Sequence, residues 1–173
     1  MHDSRRTANL LGATALAVTD VALTTAARAA GVGLSSAAAL VVLSASAGLE
    51  VTELGRRVGL SQPAATRVVD ALAARGLVER RAGRGRGVDV LVTPAGRRAA
   101  RELLAAREAP LVDVVGLLDD EDSEALAALL AKVLTRLYHR IGHAERMCRL
   151  CNRTACTTGA VCPVGDAERR HGP

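Results

Sequence analysis

Four cysteines fall within fifteen residues, as Cys148-x2-Cys151-x4-Cys156-x5-Cys162-Pro163, and the chain has no other. Thiolates this close together can bind Zn²⁺ tetrahedrally or hold an iron–sulfur cluster. The spacing has neither the two separated knuckles of a zinc ribbon nor a common ferredoxin pattern. Zinc and iron–sulfur therefore stand side by side as candidate cofactors. A thiol–disulfide switch is the third reading, and unrelated surface cysteines the fourth. Arg146, Arg149 and Arg153 are expected to lower the thiol pKa values, which favours metal binding and oxidation alike. His139 and His143 lie one helical turn apart and read as a solvated face outside the site.

Arginine is the second chemistry-bearing residue. The chain of 173 residues holds one lysine and 22 arginines and has a formal net charge of +5. Residues 51–101 contain eleven arginines against four acids, and the remainder of the chain is slightly acidic. A concentrated basic stretch suits a polyanion. With one Tyr and no Phe or Trp, the chain lacks the stacking platforms of single-strand and RNA readers. A compositional bias towards arginine is the alternative reading of the charge.

These residues need elements to position them. Residues 5–30 read as a long amphipathic helix, broken at Gly31-Val32-Gly33. Ser35 or Ser36 can cap a second helix, which runs to about Ala47. A short helix is expected over Glu53–Val58. Gly59-Leu60-Ser61 then leads into a helix to Arg75, with Ser61 as cap and Pro63 in the first turn. Ala65, Val68, Val69 and Leu72 form the inward stripe of that helix. Gln62, Ala64, Thr66, Arg67 and Asp70 are left facing outward. Leu77–Arg81 and Val88–Thr93 read as strands around Ala82-Gly83-Arg84-Gly85-Arg86-Gly87, a positive hairpin tip. Thr93-Pro94 starts a helix to about Leu117. The acidic run Asp119–Asp122 starts a last helix, expected to end near Met147. Residues 165–173 read as disordered.

Helix, helix, turn, helix, strand, basic hairpin and strand, in that order, make a winged helix-turn-helix. A helix fits the major groove and presents outward side chains to base edges, while a basic wing reaches the backbone or minor groove. In this reading Ser61, Gln62, Ala64, Thr66 and Arg67 face the major groove. Gln62 can pair with adenine, Arg67 with guanine, and Ala64 can touch a thymine methyl. Arg84 and Arg86 bind phosphate or the minor groove.

At this point the chain resembles the MarR family. The carrying residues are Val51-Thr52-Glu53-Leu54-Gly55, Val58-Gly59-Leu60-Ser61, Arg67-Val68-Val69-Asp70, Leu72, Arg75-Gly76-Leu77-Val78-Glu79-Arg80 and Val92-Thr93-Pro94-Ala95-Gly96-Arg97. The resemblance spans about residues 35–145. It implies a homodimer built by the terminal helices on a near-palindromic operator. It also implies repression relieved by a small phenolic ligand or by oxidation. The chain departs from the family at the wing, where Gly85-Arg86-Gly87 keeps only the arginine of an acid–arginine pair, and in lacking aromatic pocket residues.

The expected architecture is mainly α, with a small two- or three-stranded antiparallel wing. Residues 1–34 and 95–147 form the helical dimerisation region and 35–94 the DNA-binding domain. Residues 148–173 form a partly disordered cysteine tail. The expected function is a non-enzymatic, cytoplasmic regulator, a repressor, whose operator affinity responds to metal or redox state at the cysteines or to a small ligand. Two alternatives stay open: a thiol redox protein using Cys148 and Cys151, and a winged-helix protein–protein module. Arg5 and Arg6 before Leu10–Val18 resemble a secretory leader, but Asn9, Thr14, Thr19 and Asp20 interrupt it. With no uninterrupted apolar run of about 18 residues, a membrane span is not expected.

Overall fold

The computed structural model describes residues 4–83 and 87–171. Helix α1 (Ser4–Ala30) packs along α5 (Pro94–Val115), and α2 (Leu34–Ser44) runs through the interior. Ala37, Ala38, Ala39, Leu40, Val41 and Leu43 of α2 are all buried. Neither Ser35 nor Ser36 caps this helix. The capping position is Gly33, without a side-chain bond. The helix also stops earlier than expected. Ser44 Oγ donates to the Val41 carbonyl (2.7 Å) and Ser46 Oγ to that of Leu43 (3.1 Å). Such side-chain bonds to backbone carbonyls compete with the helical ladder.

Strand β1 (Leu49–Glu50) leads directly into α3 (Val51–Val58). After α4 (Gln62–Ala74) come β2 (Val78–Ala82) and β3 (Val88–Val92). The sheet is three-stranded and antiparallel, in the order β1-β3-β2. Val78 pairs with Val92, Arg80 with Val90, and Leu49 also with Val90. Leu40, Leu43, Leu54, Val69, Leu72 and Val90 fill the core between the helices and this sheet.

Thr93 caps α5 as expected. Its Oγ1 accepts from the Gly96 amide (3.1 Å) and donates to the Gly76 carbonyl (2.7 Å). At Gly96 the helix start presses on the wing base, where a Cβ would collide with the Leu77 carbonyl and the Val92 side chain. Pro110 lies inside α5, which continues past it to Val115.

Helix α6 (Asp120–Ile141) is capped by Asp119, whose Oδ1 accepts from the Asp122 amide at 2.8 Å. It does not reach Met147. Gly142 takes the left-handed conformation (φ 70°) and ends it, as glycine readily does at a helix C-terminus. Three short helices follow: α7 (Ala144–Met147), α8 (Arg153–Thr157) and α9 (Pro163–His171). The segment expected to be disordered is thus helical through His171. Val164 and Ala167 of α9 are buried with Tyr138 and Ala144. That contact supplies the burial that the charged local sequence does not announce.

The tail is tied to the helix-turn-helix by charge. Glu53 accepts from Arg56 Nε and Arg57 Nε, each at 2.7 Å. Glu145 of α7 accepts from Arg56 NH2 (2.9 Å) and lies 3.3 Å from Arg57 Nε. The hydrogen bonds from Arg56 and then Arg57 lower the Glu53 pKa from 4.5 to about 2.

Most of α6 faces outward, with Tyr138 its one buried residue among those described. Leu129, Leu130, Val133, Leu134, Leu137 and Ile141 are exposed in the single chain, as are Leu10, Leu11, Leu16 and Val21 of α1. By length and composition alone, Ser4–Ala26 is long and apolar enough to cross a membrane. The sequence expectation of no such span rested on uninterrupted apolar runs, whereas average hydropathy passes over Asn9 and Thr14.

Two outcomes follow. Gly96→Ala is expected to lower unfolding free energy by about 1–3 kcal/mol, because the added methyl overpacks a backbone contact; denaturant titration reads this. For Glu53, whose folded pKa is depressed, the stabilisation is full above pH 4.5 and fades as pH falls towards about 2. The stability gap between the native chain and Glu53→Gln should therefore shrink over that acid window, as measured by denaturation at stepped pH.

Candidate nucleic-acid interface and thiol cluster

The turn between α3 and α4 is built by small residues. Gly59 adopts a left-handed conformation (φ 77°) at the end of α3, and the Leu60 amide donates back to the Gly55 carbonyl at 2.8 Å. A Cβ on Gly55 would lie 3.1 Å from that of Ala65, so α3 and α4 cross with little side chain between them. Ala65, Val69 and Leu72 are fully buried, and Val68 partly. This is the inward stripe read from the sequence.

On the opposite face Ser61, Gln62, Thr66, Arg67 and Asp70 are exposed, and Ala64 is half-buried. Ser61 occupies the capping position of α4, but its side chain makes no capping bond. Thr66 Oγ1 donates to the Gln62 carbonyl at 3.0 Å. Asp70 accepts from Arg80 NH2 of β2 at 2.7 Å and so ties the helix to the wing. Arg75 NH1 donates to the Gly31 carbonyl at 2.9 Å, anchoring the other end of α4. Beyond β2, the Gly83 amide donates to the Gly87 carbonyl at 3.0 Å and closes the hairpin. Arg84 and Arg86 lie outside the described residues.

Tail folding brings the four cysteines together. All are free and partly buried, and all four line one cavity of about 270 Å³ with Glu145 and Arg153 among its walls. The thiols neighbour one another in the order Cys148, Cys151, Cys156, Cys162. Cys148 and Cys151 are joined by a tight turn, in which the Cys151 amide donates to the Cys148 carbonyl at 2.9 Å. Cys162 sits at the start of α9 and its Sγ accepts from the Gly165 amide at 3.4 Å. Among the described residues, no three of His, Cys, Asp and Glu form a ready-made set of metal ligands.

The thiols are not equivalent. Cys148 is shifted downward, first by the hydrogen bond it accepts from Cys151, with Arg153 adding to the shift. Cys151 is pushed up, first by donating that bond and then by burial. Burial, followed by its cysteine neighbours, raises Cys156 to about 11. The arginine expectation thus holds for Arg153 acting on Cys148. Arg146 and Arg149 are engaged elsewhere: Arg146 lies over Gly59, and Arg149 NH1 donates to the Arg146 carbonyl at 2.6 Å. His139 packs edge-on against His171, with ring centroids 4.2 Å apart. The thiol oxidoreductase alternative requires a Cys-x2-Cys at a strand–helix junction of a parallel sheet. Here Cys148 and Cys151 follow α7, and the described sheet is antiparallel.

Several residues of this region escaped sequence reasoning. Glu145, Arg146 and Leu150 carry the contact between tail and helix-turn-helix, with Leu150 packed against the core on both sides of α2. Glu145 is 89 positions from Arg56, beyond any local pattern. Only the Glu53–Arg56–Arg57 spacing was a visible signal.

Comparison with known proteins agrees with this geometry. Residues 30–87 match the MarR family. A MarR family protein from Bacillus stearothermophilus has a similar structure (TM-score 0.69, 22% identity), covering 79% of this chain and 99% of that one. YusO from Bacillus subtilis aligns with a TM-score of 0.67 at 22% identity, over 77% of this chain and 97% of its own. MepR, a transcription regulator of the Staphylococcus aureus multidrug efflux pump MepA, aligns at 0.67 and 17%, over 75% and 97%. No curated protein matches in sequence. With a turn closed by Gly59, α4 seated on Gly55 and a three-stranded wing, the chain has the winged helix-turn-helix fold of these structures, and its residues 30–87 match the MarR family.

Proposed function

We propose that the chain is a cytoplasmic transcriptional regulator, a repressor, that binds a near-palindromic duplex operator as a homodimer. The observation that carries this reading is the two-sidedness of α4. Its inner stripe is fixed in the core, while Gln62, Thr66 and Arg67 stand exposed. No ion pair holds Arg67 among the described residues. A planar guanidinium left available at a helix surface suits bidentate bonding to guanine. Arg84 and Arg86, which fall between β2 and β3 in the sequence, extend the contact to phosphate or the minor groove.

The exposed leucines and valines of α1 and α6 support the homodimer, since helices with this much exposed apolar side chain suit association. Two recognition helices must then match half-sites about 34 Å apart. Operator affinity is set by metal or redox state at Cys148, Cys151, Cys156 and Cys162, or by a small ligand. A cavity of about 360 Å³ between α1, α5, α6 and the tail, lined in part by Val18, Ala22, Leu111 and Leu134, has room for such a ligand.

Binding to duplexes selected from a random pool tests the reading. Arg67→Ala should cost about 1–3 kcal/mol and relax base preference at one position. Arg86→Ala should weaken all sequences alike and reduce the salt slope by about 1. Unchanged binding in both variants would remove the assigned interface. A native chain without salt-dependent duplex binding would instead be a protein–protein module.

A further inference from the structure

We propose that Cys148, Cys151, Cys156 and Cys162 close around one zinc-type divalent cation, and that α7 transmits its loading to the helix-turn-helix. The inference rests on the regulator reading and specifies how the cysteine tail acts within it.

The site itself comes first. Each thiol belongs to a different local feature: the end of α7, the turn after it, α8, and the start of α9. They nevertheless adjoin one another in sequence order around one cavity. Tetrahedral zinc with Zn–S of about 2.3 Å draws its sulfurs to about 3.8 Å from one another, so the four thiols around the cavity must close in on the ion. An iron–sulfur cluster distributes its cysteines over different irons and holds them further apart. Adjacent thiols therefore favour a single ion. Binding replaces four S–H protons, giving a four-thiolate zinc centre of charge −2 and four released protons. Arg153 beside Cys148 and Arg107 beside Cys151 supply two positive charges against it.

The tail also needs a staple. Among the described residues its buried apolar cluster is Tyr138, Ala144, Val164 and Ala167, with Met147, Cys148 and Cys162 partly buried against it, and α8 buries no residue. Segments this small rarely hold their form by apolar burial alone, and a structural metal is a common remedy.

The relay follows from what flanks the first two thiols. Glu145 bonds Arg56 and Arg57 of α3. The Arg146 side chain lies where a Cβ on Gly59 would be, 2.9 Å from its Nε, against the turn that leads into α4. Leu150, between Cys148 and Cys151, packs into the core of the DNA-reading unit. Drawing the two thiols onto a metal therefore fixes α7 on α3 and the turn, and releasing them loosens that support. The path does not run along α6, which Gly142 ends.

Full-length protein, stripped with chelator under reductant, is titrated with Co²⁺ and then Zn²⁺. Expected is one Co²⁺ per chain, with thiolate-to-cobalt charge transfer and tetrahedral d–d bands that Zn²⁺ abolishes. Cys151→Ser and Cys156→Ser should lose the tetrahedral spectrum. Their thermal transitions, compared with that of the stripped native chain, show whether they still fold. No cobalt spectrum in the native chain, or one unchanged in folded variants, overturns the site. An iron–sulfur chromophore after anaerobic purification does so too.

The second arm measures affinity for one selected duplex with and without Zn²⁺. The native chain should change at least about fivefold. Glu145→Gln should keep stoichiometric Co²⁺ binding but show the same affinity in both states. A metal response preserved in Glu145→Gln overturns the relay. Absence of duplex binding in both states defeats the regulator reading and the relay together, while the cobalt spectrum still decides the metal site.

Discussion

Close backbone approach is the constraint on which this structure depends. With no Phe or Trp, large rings cannot fill gaps between helices, so the elements must come nearer to one another. Gly55 against Ala65 brings α3 onto α4, and Gly96 against Leu77 and Val92 brings α5 onto the wing base. The alanines of α2 allow neighbours to pack on several sides of it. Interiors are close-packed, so small residues at these crossings set where each helix lies. The outward face of α4 is then directed by packing, without a polar side chain buried among the described residues.

The same economy leaves apolar surface unused. Helices α1 and α6 keep leucines and valines exposed that the single chain cannot cover. The chain thus combines a well-filled winged helix-turn-helix with helical arms whose apolar faces the single chain leaves uncovered. The tail bridges these regions. Tyr138 of α6 packs with Val164 and Ala167 of α9, while Glu145 bonds α3. Asn152 adds a bond to Glu108 of α5 at 3.0 Å. The segment that carries the thiols is thereby in contact with both the arms and the helix-turn-helix.

Much of the candidate interface was legible because its cues are local. The stripe Ala65, Val69 and Leu72 has helical spacing, Gly59 suits a left-handed turn, and Thr93-Pro94 carries its own cap and first-turn residue. Other cues were local but outweighed. Ser35 and Ser36 are good caps in isolation, yet α2 begins at Leu34 with Gly33 in the capping position. Strand β1 has only two residues, too few for a period, and exists through its pairing with β3.

Residue identity and spacing alone determined the helical class, helix α4 with its exposed Gln62, Thr66 and Arg67, the hairpin of β2 and β3, and the close set of cysteines. Each depends on neighbours within a few turns of chain, where periodicity and capping act. Tertiary structure decided the rest: the break at Gly142, the ordering of α9 and the seating of α7 on α3. Those features arise from contacts between residues far apart in the chain, such as Glu145 with Arg56 and Val164 with Tyr138. Their energies exist only once the chain has folded back on itself.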